Sequence, residues 1–355
     1  MMLDRQEFFA LMNEAVASTD RAGLVGGRLP SGRAKTRILE AHPWESSSDG
    51  VSQLVSAIEE RTGFHSEHVG DELWWLSGDA MVGFLDTLNP RFWQLHSPSP
   101  AEEVARATRA VVASDPRLDT AWLPKGLLRE LDGEHLWVKS AFEADELLGA
   151  DVSARRWRAR FEGDAPEGLL DLLRDTDYER AATLTGLGSL VREASVGEAI
   201  VVAEFQGAFV MGHGDFSVAA SAVWNMVRRY EQWVRALEDR HRLSSRALEG
   251  SGITVDGDVA TIMFGRAVED LDRLVEGLFT AKEPFRLWGV PERVPGGWFA
   301  DAVDLHVGHP LRMDILRDRV RVLLEPETCG NTLARLLTNL QQRLDARAAL
   351  MPAAA

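Results

Sequence analysis

The sequence predicts an α+β protein of mainly antiparallel sheets with helices packed on one face. Three observations carry this. The chain has 355 residues, of which 45% are hydrophobic and 26% charged; this suits a packed protein of two domains and argues against a largely disordered chain. The second half repeats an order of strand, strand, helix. That order differs from the strict strand–helix alternation of a parallel doubly wound sheet. Gly163-Asp164-Ala165-Pro166 breaks the pattern, so the expected domains are 1–163 and 164–350, with 351–355 as a fraying alanine-rich tail.

The elements follow in order. Phe8, Leu11, Met12 and Val16 make one stripe, predicting a helix over 4–17. Thr36 to Ala41 reads as a strand. Val51, Leu54, Val55 and Ile58 fall three, four and seven apart, and Gly63 stops that helix. Strands are expected near 68–76, 80–86 and 91–96, then a helix from Pro100 to Ala113 and a strand over 136–142. Residues 154–161 alternate arginine with apolar side chains, as a half-buried strand would. The second half reads as three units. The first has strands near 199–205 and 208–211 and a long helix over 216–242. The second has an Asp256-Gly257 hairpin joining 253–255 to 259–264, then a helix over 268–279. The third has strands over 299–306, 311–316 and 320–324 and a helix over 331–347.

Charge and cysteine content narrow the functional classes. The net charge is −16, which repels phosphate backbones and anionic lipid. Cys329 is the one cysteine, so no internal disulfide forms. Residues 1–7 are polar and charged, so no secretory leader is expected, and no apolar run reaches membrane-spanning length. The cytoplasm is the expected compartment. Only Lys35, Lys125, Lys139 and Lys282 are lysines among 39 basic residues; this excess of arginine points to a GC-rich, bacterial genome. Phosphate-loop, dinucleotide-binding, nucleophile-elbow and H-E-x-x-H patterns are absent.

Four groups of residues carry chemistry. Asp304 and His306 share a face of a strand, and Gly308 lets His309 turn back toward them. A carboxylate with imidazoles admits a divalent transition metal, with Glu325 or Asp314 completing the set. The competing reading pairs Asp304 with an arginine. Cys329 lies just before the last helix, where a thiol is activated. His65-Ser66-Glu67-His68 is a weaker ligand pair. Gly212-His213-Gly214-Asp215 at the start of the long helix admits an anion, although Asp215 suits an N-cap.

Tryptophan is in excess, with 11 against two tyrosines. Trp74 and Trp75 are neighbours on a strand, so they point to opposite faces and one needs a second cover: helix, ligand or partner. Trp157 among Arg155, Arg156, Arg158 and Arg160 is the one basic aromatic patch.

The expected function is a non-catalytic protein-binding or assembly subunit of a bacterial cytoplasmic multi-protein system, with no cofactor. Trp74, Trp75 and Trp157 are its partner-binding candidates, and a homo-oligomer is compatible with the long helix. The alternative is a hydrolase using His306 and His309, with a metal on Asp304 or the thiol of Cys329. A third reading is nucleic-acid binding through Arg155–Arg160, which the charge disfavours.

Overall fold

The computed structural model describes residues 3–17, 24–25, 29–30, 32–42, 48–79, 81–142, 157–162, 182–248 and 252–351. The chain starts with α1 (Arg5–Ala17), a small ladder of β1 (Leu24–Val25) and β2 (Leu29–Pro30), β3 (Lys35–Ala41) and α2 (Ser48–Thr62). Next come β4 (His65–Gly70), β5 (Leu73–Gly78), β6 (Met81–Asp86), β7 (Phe92–Ser97), α3 (Ala101–Ser114), β8 (Leu118–Thr120) and α4 (Lys125–Leu128). The middle holds β9 (Glu134–Phe142), β10 (Trp157–Glu162), β11 (Ala182–Glu193), β12 (Gly197–Glu204), β13 (Ala208–Gly214) and α5 (Phe216–His241). The last part holds β14 (Ser244–Leu248), β15 (Gly252–Asp256), β16 (Ala260–Met263), α6 (Leu271–Leu278), β17 (Leu287–Val294), β18 (Gly297–Asp304), β19 (Pro310–Leu316), β20 (Arg319–Leu324), α7 (Asn331–Arg343) and β21 (Ala349–Leu350). β3 with β7, β5 with β6, β11 with β12 and β18 with β19 pair antiparallel, and Arg242 and Leu324 form an isolated parallel bridge.

Two compact units result, and they are not sequential. One comprises Met1–Ala121, Leu128–Leu136 and Gly186–Arg229; the other comprises Trp122–Leu127, Trp137–Thr185 and Tyr230–Ala355. A single cut near Gly163 does not describe them, and Gly163 lies outside the described residues.

In the first unit, strands β12, β13, β3, β7, β6, β5 and β4 are neighbours in that order. Leu39, Leu76, Leu85, Trp93 and Leu95 line one face, because side chains alternate along each strand. α2 covers them with Val51, Leu54, Val55 and Ile58, and α3 with Val104, Ala107 and Val111. The other face carries Phe84 and its register partner His96. The Phe8 ring of α1 lies 5.0 Å from Phe84 and 5.7 Å from Phe216 of α5. Helices therefore cover both faces here, where one was expected. The apolar alternation is two-sided on β6 and β7, and each side must be buried. The expected strand 68–76 is in fact a hairpin. Asp71 and Glu72 turn at φ 45 and 58, positions usually given to glycine or asparagine. The backbone N–H of Arg5 donates to the Asp71 carboxylate at 3.1 Å.

In the second unit, the strand order is β17, β18, β19, β20, β16, β21. This sheet has the expected single helical face. Ala302, Leu311, Met313, Ile315, Val320, Val322 and Leu324 point inward. α6 meets them with Leu271, Leu274, Val275 and Leu278, and α7 with Leu333, Leu336, Leu337 and Leu340. The outer face is charged: Arg312 pairs with Asp301 at 3.2 Å and Arg321 with Asp314 at 3.3 Å. The Asp256-Gly257 hairpin does not form. β15 pairs back with β14, while β16 pairs with β20 and β21. Gly257 instead lets the chain pass close to Arg242: a Cβ there would sit 2.7 Å from the Arg242 carbonyl oxygen.

His96 gives this fold a pH dependence. Complete burial pushes its imidazole down to about 4, with Asp86 opposing and Arg5 assisting. The folded state keeps it neutral, so the unfolded state gains a proton first as pH falls below about 6.5. This stability is intact above that pH and is lost toward pH 4, by about 2 kcal/mol at pH 5. Urea unfolding at pH 7 and pH 5 checks this: His96→Gln shows a pH loss smaller than wild type by about that amount.

Candidate functional site

The second unit gathers its polar chemistry where β18 ends and α7 begins. β18 delivers Asp304 to the inner face. The chain then turns through Val307 and Gly308, at φ 66 and 80, so that the Asp304 N–H donates to the His309 carbonyl at 3.0 Å. The predicted return of the chain at Gly308 therefore occurs. His309 takes part through its backbone, and its ring is half-buried.

Asp304 is committed to the helix above it. Its Oδ1 accepts a guanidinium N–H of Arg335 and, at 2.9 Å, the backbone N–H of His306. Its Oδ2 accepts the hydroxyl of Thr332. Arg335 also donates Nε–H to the Phe285 carbonyl at 2.8 Å. Both side chains of this ion pair are 1% exposed. The arginine pairing, weighed above against a metal, is the geometry present. Glu325 and Asp314, the proposed completing ligands, pair with Arg312 and Arg321.

Cys329 sits one residue before Gly330, the N-cap of α7. Its Sγ accepts the N–H of Asn331 at 3.2 Å, and Glu238 takes the Gly330 N–H at 2.8 Å. A ring nitrogen of His306 and Cys329 Sγ lie within 4.8 Å of each other. The structure therefore brings together Asp304 and His306 by chain proximity, and His306 and Cys329 by packing. Both are buried, His306 at 1% and Cys329 at 4% exposure.

Asp215 caps α5, accepting the Ser217 N–H at 2.7 Å, while Asn13 takes the Phe216 N–H at 2.6 Å. His65 pairs with Glu59 at 3.3 Å, and His68 packs on Trp74 with ring centres 4.8 Å apart. Trp75 is buried against Phe84, 5.0 Å between ring centres, and Trp74 is half-buried on the α2–α3 core. Within this unit Trp75 therefore packs on the Phe84 face of the sheet and Trp74 on the α2–α3 face. Arg155 and Arg156 lie outside the described residues. Trp157 and Arg158 are placed by backbone alone, opposite Phe142 and Ala141. The Arg160 guanidinium lies 4.1 Å over the Trp137 ring, so the two stack on each other.

Sequence reasoning missed Arg335 and Thr332. Their spacing of three on a helix was a usable signal, since both then reach one partner. It also missed Trp288 and Val290, which are 54% and 64% exposed on β17. Pro291 hid that strand, and it is tolerated because β17 ends the sheet.

The two kinds of ion pair should differ sharply in worth. Arg335→Met leaves Asp304 buried without its cation and costs about 3–5 kcal/mol. Arg312→Met on the exposed outer face costs under about 1 kcal/mol. Urea denaturation of both variants beside wild type measures the contrast.

The comparisons with known proteins agree over nearly the whole chain. A family model described as MJECL33-like protein matches residues 30–354. The relative named "Uncharacterized protein MJECL33", from Methanocaldococcus jannaschii, is 26% identical over 362 residues, covering 89% of this chain and 85% of its own. No solved structure matches the chain significantly. Because the family match spans both units, the chain belongs to the MJECL33-like protein family.

Proposed function

We propose that this chain is a non-catalytic protein-binding subunit of a cytoplasmic assembly, and that it docks a basic protein partner on the outer face of β17 and β18. The observation that carries this reading is the pair Trp288 and Val290. They are two apart on the last strand of the sheet, so they project to one side, and both are largely exposed. Exposed tryptophan is costly to leave in water and is enriched where partners bind. Val303, opposite Trp288, and Phe299, opposite Glu292, extend the apolar row. Glu292 ends the row with a negative charge, while Asp301, opposite Val290, is paired with Arg312. The net charge of −16 opposes self-association and favours a basic partner. Among the described residues no helix is long and apolar enough to cross a membrane.

Burial weighs against the hydrolase reading. His306 and Cys329 are too enclosed to reach a substrate, and the Asp304 oxygens already serve Arg335, Thr332 and the His306 N–H.

The test compares tagged wild type with Trp288→Asp, Val290→Asp and Val255→Asp in quantitative pull-downs from the native host. Val255 is equally exposed but lies on β15, away from the patch. One stoichiometric basic protein is expected. Its recovery should fall at least about tenfold with either patch variant and be unchanged with Val255→Asp. Equal recovery by all variants, or association of the chain only with itself, contradicts the proposal.

A further inference from the structure

The pair His306 and Cys329 has no part in that docking surface, and its chemistry points elsewhere. We propose that the two side chains hold one divalent transition-metal ion of the zinc class, with the Cys329 thiolate and a His306 ring nitrogen as ligands. The donor types set the class: thiolate and imidazole favour zinc-like ions, whereas magnesium and calcium take oxygen ligands.

The geometry fits. Zinc binds sulfur at about 2.3 Å and imidazole nitrogen at about 2.0–2.1 Å, which puts two tetrahedral ligands about 3.5 Å apart. The two donor atoms already lie within 4.8 Å, so ordinary side-chain rotation of about an ångström closes the site. Cys329 Sγ is turned to the start of α7, where it accepts the Asn331 N–H. The thiolate is the form of cysteine that binds such an ion. Burying that charge is costly without a cation, and a bound ion offsets the cost. Asp304 is a positioning residue here. Its carboxylate, held by Arg335 and Thr332, accepts the His306 N–H and so fixes the backbone that presents the ring. Binding exchanges one proton for the ion: the thiol proton leaves to solvent as the sulfur–metal bond forms. Water or further donors complete the coordination. An ion held here adds its binding energy to folding.

The experiment uses the full chain, stripped with a chelator and titrated with Co²⁺ as a spectroscopic probe and then with Zn²⁺. Metal content, the thiolate-to-cobalt absorption band and the melting temperature are read. Wild type should take up one equivalent, show the band and melt higher with Zn²⁺. Cys329→Ser should lose the band, and His306→Gln should bind at least about tenfold more weakly. His309→Ala should behave as wild type. No uptake and no thermal shift in wild type overturns the proposal, whether or not the variants fold. Uptake with the same spectrum in wild type and Cys329→Ser also overturns it.

Discussion

The buried pair of Asp304 and Arg335 is the constraint on which the second unit depends. A lone carboxylate or guanidinium at 1% exposure would cost several kcal/mol, so neither can be tolerated without the other. Meeting this requirement fixes the placement of α7. Arg335 and Thr332 stand one turn apart and both reach Asp304, which locks the first turns of the helix against the end of β18. The Arg335 guanidinium then reaches on to the Phe285 carbonyl, tying in the segment before β17.

The rest of α7 follows the same logic. Asn331 to Gln342 are all buried, yet several of these side chains are polar, so the helix must find partners all round. Asn331 accepts from the Tyr230 hydroxyl, Asn339 donates to the Arg335 carbonyl, and Gln342 donates to the Leu184 carbonyl. Gln341 accepts the Lys125 N–H and donates to the Ala348 carbonyl. Such a helix gains its place through directed bonds as much as through apolar area. That accounts for how one sheet face can be devoted to internal order while the opposite face is left to exposed charge and, at β17, exposed apolar side chains. The proposed division of roles, inner face for structure and outer edge for a partner, rests on this asymmetry.

Much of the fold was legible in local pattern, and the misses have separate physical causes. The expected strands fall on β3, β6, β7, β12, β19 and β20, and apolar spacing located α1, α2 and α5. The hairpin between β4 and β5 escaped because Asp71 and Glu72 adopt positive φ without glycine. β17 escaped because of Pro291. The Asp256-Gly257 signal was real turn chemistry, but strand choice is settled by which surface each strand must bury, so β16 joined the large sheet. At the site, strand alternation did not apply, because β18 ends at Asp304 and His306 lies in the turn beyond it, joined to Asp304 by its backbone N–H. Arg335 lies 31 positions from Asp304, and only helix-on-sheet packing brings them into contact; the same packing sets Cys329 beside His306. Trp74 and Trp75 drew attention as adjacent tryptophans on a strand, whereas exposure, which separates Trp288 from them, is a tertiary property.

The most direct test of the central claim is a double-mutant cycle on the buried pair. Asp304→Asn, Arg335→Met and the combined variant are unfolded in urea beside wild type, with circular dichroism as the probe. The account predicts strong coupling: the double variant is less destabilised than the sum of the singles by about 2 kcal/mol or more, because removing both charges leaves none buried alone. Additivity within about 0.5 kcal/mol would contradict it, and would mean that α7 is held by its apolar contacts without the ion pair.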